Sequence, residues 1–289
     1  MSVKEFVLKK LEENRGIPLS GEAIANSLSV SRAAVWKAVR ALEAEGYHIE
    51  AVPNQGYTLC TDNDLLSTQG ILPYLTPPLK SREIRVFPCL PSTNQEAKRM
   101  ALESAEQGSA VLAEEQSAGR GRLGRSFFSP RGNGLYMSVI LRPKADVSNA
   151  VLITTAAAVG VCRAIDMVTG RHPQIKWVND LYLNEKKICG ILTEAVTNFE
   201  TGVIESVVVG IGINFKGSQS ILPEELRHKA GFLYTDEPPA TTRNHLAAEI
   251  INQLCILCDT LELRSFLPEY RMRSMIIGEQ IRFLRNQVW

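Results

Sequence analysis

The 289-residue chain has no uninterrupted apolar run approaching the about 18 residues of a membrane-spanning helix, and Met1-Ser2-Val3-Lys4-Glu5 lacks the apolar core of a secretory signal. A disulfide framework is missing too. Cys60, Cys89, Cys162, Cys189, Cys255 and Cys258 are scattered, which suits reduced thiols in a cytoplasmic protein and excludes a disulfide-built scaffold. Cys255 and Cys258 form one C-x-x-C, but with no second pair and an apolar setting over 246–261 they read as buried helix residues, not zinc ligands. Net charge is +1, so any nucleic-acid face must be local. Internal repeats and low-complexity segments are absent. A hydrophobic content of 45% at this length is that of a globular protein with one large domain and a smaller one.

One further absence is informative. No acid interrupts residues 116–142, and within them Gly119-Arg120-Gly121-Arg122-Leu123-Gly124-Arg125 sets three arginines among three glycines. Glycine permits positive φ and close backbone approach, and guanidinium groups fork onto carboxylate or phosphate oxygens. The loop is built to wrap an anion and points to chemistry on a doubly anionic substrate. Its spelling also fits Gly-x-Gly-x-x-Gly, but a dinucleotide loop opens a helix and is followed by an acid about 20 residues on. Here a turn-rich stretch over 126–134 leads to a strand at 135–141, and the next acid is Asp146. A flexible basic tether for nucleic acid is the other reading of this composition.

The first 60 residues read as three short helices and a hairpin. Ser2 and Glu5 form a capping box for a helix over 2–14, with Val3, Phe6, Val7 and Leu11 on one face. A helix over 21–28 and a tight turn at Ser29-Val30 lead to Ser31, which caps a third helix reaching residue 45. That helix carries Arg32, Lys37 and Arg40 before its first acid, Glu43, over a stripe of Val35, Val39 and Leu42. Strands at 47–52 and 57–59 flank Pro53-Asn54-Gln55-Gly56. This is the spacing of a winged helix-turn-helix, with Ser31, Arg32, Lys37 and Arg40 as candidate DNA contacts. Winged helices also dock proteins. With seven basic and seven acidic residues in 1–60, DNA affinity would rest on few phosphate contacts and on dimerisation.

Residues 61–64 read as a polar hinge. Beyond it, strands at 84–87, 110–113, 135–141, 174–177, 181–183, 188–195 and 203–213 alternate with helices at 93–106, 150–169 and 243–263, which predicts an α+β fold with a mixed sheet. Ser92 with Gln95 reads as a capping box whose free amides also suit a polar ligand. Lys176-Trp177-Val178-Asn179-Asp180 and Lys187-Ile188-Cys189-Gly190 read as a hairpin. In it Asp180 and Lys187 are unlike core-strand residues, and Gly190 admits a ligand against the backbone. Gly210-Ile211-Gly212-Ile213-Asn214 ends another strand with the same device.

Together, Ser92-Thr93-Asn94, Gln116 with the arginine-glycine loop, and the stretches 176–180, 187–190 and 210–214 resemble the bifunctional biotin protein ligases that also repress biotin operons. The resemblance covers nearly the whole chain. Lipoate ligases share the catalytic fold, but their Arg-Arg-x-Ser-Gly-Gly-Gly signature is not found here. The resemblance implies a winged helix-turn-helix domain at 1–60, a linker at 61–64, a biotin/lipoate-ligase-like catalytic domain at 65–273, and the start of an SH3-like β domain at 274–289. It implies that Ser92, Thr93, Asn94 and Gln116 hold the ureido ring of biotin. Arg120, Gly121 and Arg122 would close over the ligand beside Gly190, and Lys187 would lie by the carboxylate and α-phosphate. Asp180 would organise Mg²⁺·ATP, and Asn214 would line the adenylate region. Arg122 and Lys187 are the catalytic cations in this scheme, and no metal-ligating protein residues are expected.

The implied reaction converts biotin and ATP to biotinyl-5′-AMP, then biotinylates a lysine of the biotin carboxyl carrier protein of acetyl-CoA carboxylase. The implied regulation is repression of biotin genes, the central domain forming a homodimer when adenylate is bound so that paired winged helices meet operator DNA. No membrane partner is expected. Only one strand of the terminal β domain is legible, with Ile281, Phe283 and Leu284 inward. An alternative expectation follows from that: a repressor that senses biotin or its adenylate, with impaired ligation.

Overall fold

Ser2 accepts the Glu5 amide while the Glu5 carboxylate takes the Ser2 amide, and this closed capping box starts α1 (Val3–Glu13). The structure is a computed structural model that describes residues 1–53, 55–143, 150–197, 204–235 and 237–280. Ser20 caps α2 (Gly21–Leu28), and Ser31 caps α3 (Arg32–Ala44) by accepting the Ala34 amide at 3.2 Å. Between them Ser29 turns the chain in the left-handed region at φ 52°. Strands β1 (Ile49–Val52) and β2 (Gly56–Leu59) pair antiparallel, Ile49 opposite Leu59. Val7, Leu8, Leu11, Val35, Val39, Leu42, Ile49 and Leu59 make one core. Phe6, expected on the buried face of α1, is exposed. Leu8, Leu11 and Glu12 are buried instead, so the inward face is the one repeating at three and four residues from Leu8.

The chain divides into two compact units, Met1–Lys80 with Thr242–Ala248, and Ser81–Thr241 with Glu249–Trp289. In the first unit the expected hinge is tied down. Arg243 Nε lies 2.9 Å from Asp64 Oδ2, and both side chains are nearly buried. Asn244 accepts from the Ser67 amide at 3.0 Å and donates to Leu65 O at 2.8 Å. A short helix unforeseen from the sequence, α4 (Thr68–Ile71), follows and is capped by Ser67.

The second unit holds β3 (Ile84–Phe87), α5 (Thr93–Leu102), β4 (Ala110–Ala113), β5 (Gly134–Leu141), α6 (Ala150–Thr169), β6 (Gln174–Lys176), β7 (Asp180–Leu183), β8 (Lys186–Thr197) and β9 (Ile204–Asn214). Helix α7 (Arg243–Asp259) belongs to it from Glu249 onward, and α8 (Leu267–Arg273) completes it. The seven strands run β3-β4-β5-β9-β8-β7-β6, parallel only at β3/β4. This is the expected mixed sheet. Strand β5 is buried along its whole length, as a strand covered on both faces must be. Helix α5 ends at Leu102, short of the expected 106, because Ser104 and Gly108 turn at φ 66° and 88°. The arginine-glycine loop feeds β5 and opens no α-helix, which excludes the dinucleotide reading.

One described helix, Val151–Thr169, is long and apolar enough to cross a membrane, but two thirds of it is buried in the fold. Its two charged residues, Arg163 and Asp166, pair with Glu269 and Arg273 of α8. Asn54, Val203 and residues 281–289, including the strand expected around Ile281, Phe283 and Leu284, lie outside the described residues.

Leu42 is fully buried at the centre of the first unit. Leu42→Ala should destabilise that unit by about 2–5 kcal/mol, read as faster amide exchange throughout α1, α2 and α3. A change confined to the α3 terminus would show that these helices do not share one core.

Candidate active site

The strands of the second unit meet the start of α5 over a cavity of about 720 Å³. Its size is that of a small-molecule site. Ser92 is the N-cap of α5 in extended conformation (φ −160°, ψ 128°), but its side chain makes no capping bond, so the capping box expected with Gln95 does not form. The first helical amide is served from elsewhere. Gln116 Oε1 accepts from Thr93 N at 2.9 Å, which turns Gln116 Nε2 toward Ser129 Oγ at 3.1 Å.

Asn94 is oriented by a comparable argument. Its Nδ2 donates to Glu194 Oε2 at 2.7 Å, and because an ionised carboxylate only accepts, Asn94 Oδ1 must face the other way. There it lies 2.6 Å from Ser138 Oγ, which is 2.8 Å from Thr93 Oγ1, which in turn is 3.2 Å from Gln116 Oε1. Three contacts therefore join four oxygens, and only the two hydroxyls carry a proton. The patch is one proton short, and it accepts N–H donors. Gly210 makes room for it, since a Cβ there would sit 2.1 Å from Asn94 Oδ1.

The cations line the same cavity. Gly121 N donates to Arg125 O at 2.7 Å and Phe127 N to Gly119 O at 2.9 Å, so the loop folds back on itself. Leu123 and Gly124 turn at φ 57° and 73°, leaving Leu123 91% exposed. Arg122 donates to Asn179 Oδ1 at 3.2 Å, and neither Arg120 nor Arg122 has a salt bridge among the described residues. Lys187 and Asp180 stand on neighbouring strands and pair at 2.7 Å, both half-buried. Below them Gly190 of β8 is opposite Gly212 of β9, and the Phe127 ring lies across both. A Cβ on Gly212 would come within 2.4 Å of that ring.

Every residue that the sequence assigned to a small-molecule ligand lines this one cavity: Ser92, Thr93, Asn94, Gln116, Arg120, Gly121, Arg122, Asp180, Lys187, Gly190 and Asn214. Asn214 is held by donating to Gly231 O at 2.9 Å. The sequence missed Phe127, Ser138 and Glu194. Phe127 follows the arginine-glycine loop directly, which is a signal that could have been used. Ser138 and Glu194 sit in apolar strands with no motif about them. In the first unit, Arg32 and Lys37 are exposed on α3, while Ser31 is occupied as its cap. Arg40 lies over the Trp36 ring at 5.7 Å and pairs with Glu43 at 2.8 Å.

A model of the Biotin/lipoate A/B protein ligase family matches residues 86–214, the interval that holds all the cavity residues just named, and a model of an HTH domain matches 3–58. The Bifunctional ligase/repressor BirA of Bacillus subtilis (strain 168) is 39% identical over 209 residues, covering 72% of this chain and 64% of that protein. Its Escherichia coli (strain K12) counterpart is 31% identical over 249 residues, covering 86% of this chain and 75% of the relative. The chain belongs to the family of bifunctional BirA ligase/repressors. It spans 64% of the length of the Bacillus member. Among solved structures, biotin protein ligase from Aquifex aeolicus in complex with biotin and ATP aligns with a TM-score of 0.57 and 27% identity, over 68% of this chain and 80% of that one. The BirA-family fold is thus present here as an N-terminal helix-turn-helix and a mixed seven-stranded sheet with helices.

Burial alone would raise the Glu194 pKa, but hydrogen bonds from Lys98 and Asn94 and the charges of Lys98 and Arg120 outweigh it, and the net shift is downward. A carboxylate with a lowered folded pKa stabilises the fold above its unfolded pKa, and that contribution is lost as pH falls through the folded value. Glu194→Gln should therefore lower Tm at neutral pH by scanning calorimetry, with the gap to the parent closing in acid. A gap independent of pH would show that the charge plays no part.

Proposed function

We propose that this chain is an ATP-dependent biotin protein ligase that also regulates transcription. It forms biotinyl-5′-AMP and transfers the biotinyl group to a lysine of a biotin carboxyl carrier protein. The observation that carries this reading is the polarity of the cavity, with a proton-short acceptor patch at Thr93, Asn94, Gln116 and Ser138 and a cation cluster at Arg120, Arg122 and Lys187. A cyclic urea supplies the N–H donors that the patch lacks. Its carboxylate tail then reaches toward the cations.

Biotin carboxylate and ATP repel each other, so attack on the α-phosphorus needs cations that neutralise both and hold them in line. Arg120, Arg122 and Lys187 meet that need, and the bond from the α-phosphorus to the β-phosphate oxygen breaks as pyrophosphate leaves. Mg²⁺ fits as an ion brought by ATP, since it asks for only one or two protein carboxylates beside phosphate oxygens, and Asp180 is a carboxylate lining the cavity. There it would spread phosphate charge. The adenylate is a mixed anhydride open to hydrolysis, and the loop 119–125 excludes water by closing over it. In the second step the acceptor amine attacks the anhydride carbonyl and AMP leaves with its electron pair.

We further propose that residues 65–273 carry this chemistry and that 1–60 bind operator DNA through Arg32 and Lys37 on α3, supported by the match to an HTH domain over 3–58. The adenylate-bound central domain pairs as a homodimer, for which the 91% exposed Leu123 offers apolar surface. Six free thiols suit a reducing cytoplasm.

Labelled biotin, Mg²⁺·ATP and pyrophosphatase should yield biotinyl-AMP, and Lys187→Ala should cut its formation by about 10²–10³. Asn94→Ala should weaken biotin binding by about 1–3 kcal/mol while sparing ATP, by calorimetry. Biotin binding without adenylate formation in the parent would leave a sensor in place of a ligase. Arg32→Ala and Lys37→Ala should each reduce the salt slope of operator binding by about 1, read by fluorescence anisotropy, and an unchanged slope would remove these residues from the interface.

A further inference from the structure

We propose that the base of the β1–β2 hairpin is a site for a thiophilic divalent cation, Zn²⁺ in the first instance, formed by His48, Glu50 and Cys60 with Asp62 behind the histidine. The hairpin register builds it. Ile49 is paired with Leu59 and both are buried, so the two-residue alternation of a strand puts His48, Glu50 and Cys60 on the opposite, outward face. Cys60 N donates to His48 O at 3.0 Å, which extends the ladder by one pair. Imidazole and thiol are thereby cross-strand neighbours, and Glu50 is the diagonal one.

One donor atom from each of these three residues lies within 4.8 Å of the other two. Ligand atoms about 2.0–2.3 Å from a tetrahedral Zn²⁺ stand roughly 3.3–3.8 Å apart, so a modest contraction of the three side chains closes the set. A second observation points the same way. Asp62 Oδ1 is 3.1 Å from His48 Nδ1, and a carboxylate on one ring nitrogen fixes the tautomer that presents the other nitrogen's lone pair to a metal. The backbone beyond β2 is also held, by Arg15 donating to Asn63 O at 2.5 Å and Cys60 O at 3.4 Å.

Sulfur, nitrogen and oxygen together select Zn²⁺ or Co²⁺ over Mg²⁺ and Ca²⁺. Binding displaces the thiol proton to solvent, and water completes the shell. The ion would staple the open end of the hairpin, so metal occupancy and the stability of the winged unit are linked. A lone C-x-x-C gave no expectation of a metal, whereas His48-x-Glu50 and Cys60-x-Asp62 become one donor set only when β1 and β2 pair.

The test is Co²⁺ titration of the untagged, reduced full chain, followed by the thiolate-to-cobalt absorption in the near ultraviolet. The parent should show a saturable band at one ion per chain, displaced by Zn²⁺, and Zn²⁺ should raise its Tm. Cys60→Ser should lose the band and the Tm shift, Asp62→Asn should weaken binding by about tenfold or more, and Cys89→Ser should behave as the parent. Circular dichroism of each variant confirms folding. No band in the parent, a band that survives Cys60→Ser, or unchanged affinity in His48→Ala would overturn the proposal.

Discussion

Glu194 can only accept hydrogen bonds, and that restriction propagates through the floor of the cavity. It draws the Asn94 amide nitrogen toward itself, which sets Asn94 Oδ1 against Ser138. Ser138 has one proton for both Asn94 Oδ1 and Thr93 Oγ1, Thr93 Oγ1 donates to Gln116 Oε1, and the number of protons falls one short of the number of contacts. Lys98 holds the carboxylate in place at 2.5 Å. An acceptor-rich patch so deep in a folded protein is costly unless a donor completes it. The fold therefore favours a ligand with N–H groups, and the biotin of the proposed reaction would supply them.

The cations of the same cavity work by charge. Arg120 and Arg122 are carried on a loop that bonds mainly to itself, so it can shift without breaking the sheet. Lys187 stands on a strand and has a fixed partner in Asp180. In the proposed adenylation the two guanidinium groups on the loop and the ammonium on the strand would divide the work, one closing over the substrates and the other marking where the charge develops. Glycines at 190, 210 and 212 let Asn94 and Phe127 come close to the sheet, since a Cβ at 210 or 212 would strike one or the other.

Much of this was legible in the chain. Helix α2 and strands β3 and β4 fall on the expected residues, and the caps at Ser2 and Ser31 form as their spacing requires. These features depend on neighbours three or four residues away, so local pattern suffices. Ser92 shows where local pattern stops. Its spelling is that of a capping box, but Gln116, 23 residues on from Thr93, serves the first amide. Asp64 has the same lesson, read as hinge and found paired with Arg243, 179 positions away.

The sequence by itself determined the two-part organisation, the mixed sheet and a loop that sets arginines among glycines, because hydrophobic period, turn residues and charge spacing act over short range. Tertiary structure alone decided which polar side chains share protons. Ser138 and Glu194 look like ordinary strand residues until β5 and β8 bring them to Asn94, and His48 has no bond to Cys60 until β1 meets β2. Hydrogen-bond direction and ligand geometry depend on distances of a few tenths of an ångström between residues far apart in the chain. Only the folded backbone sets those.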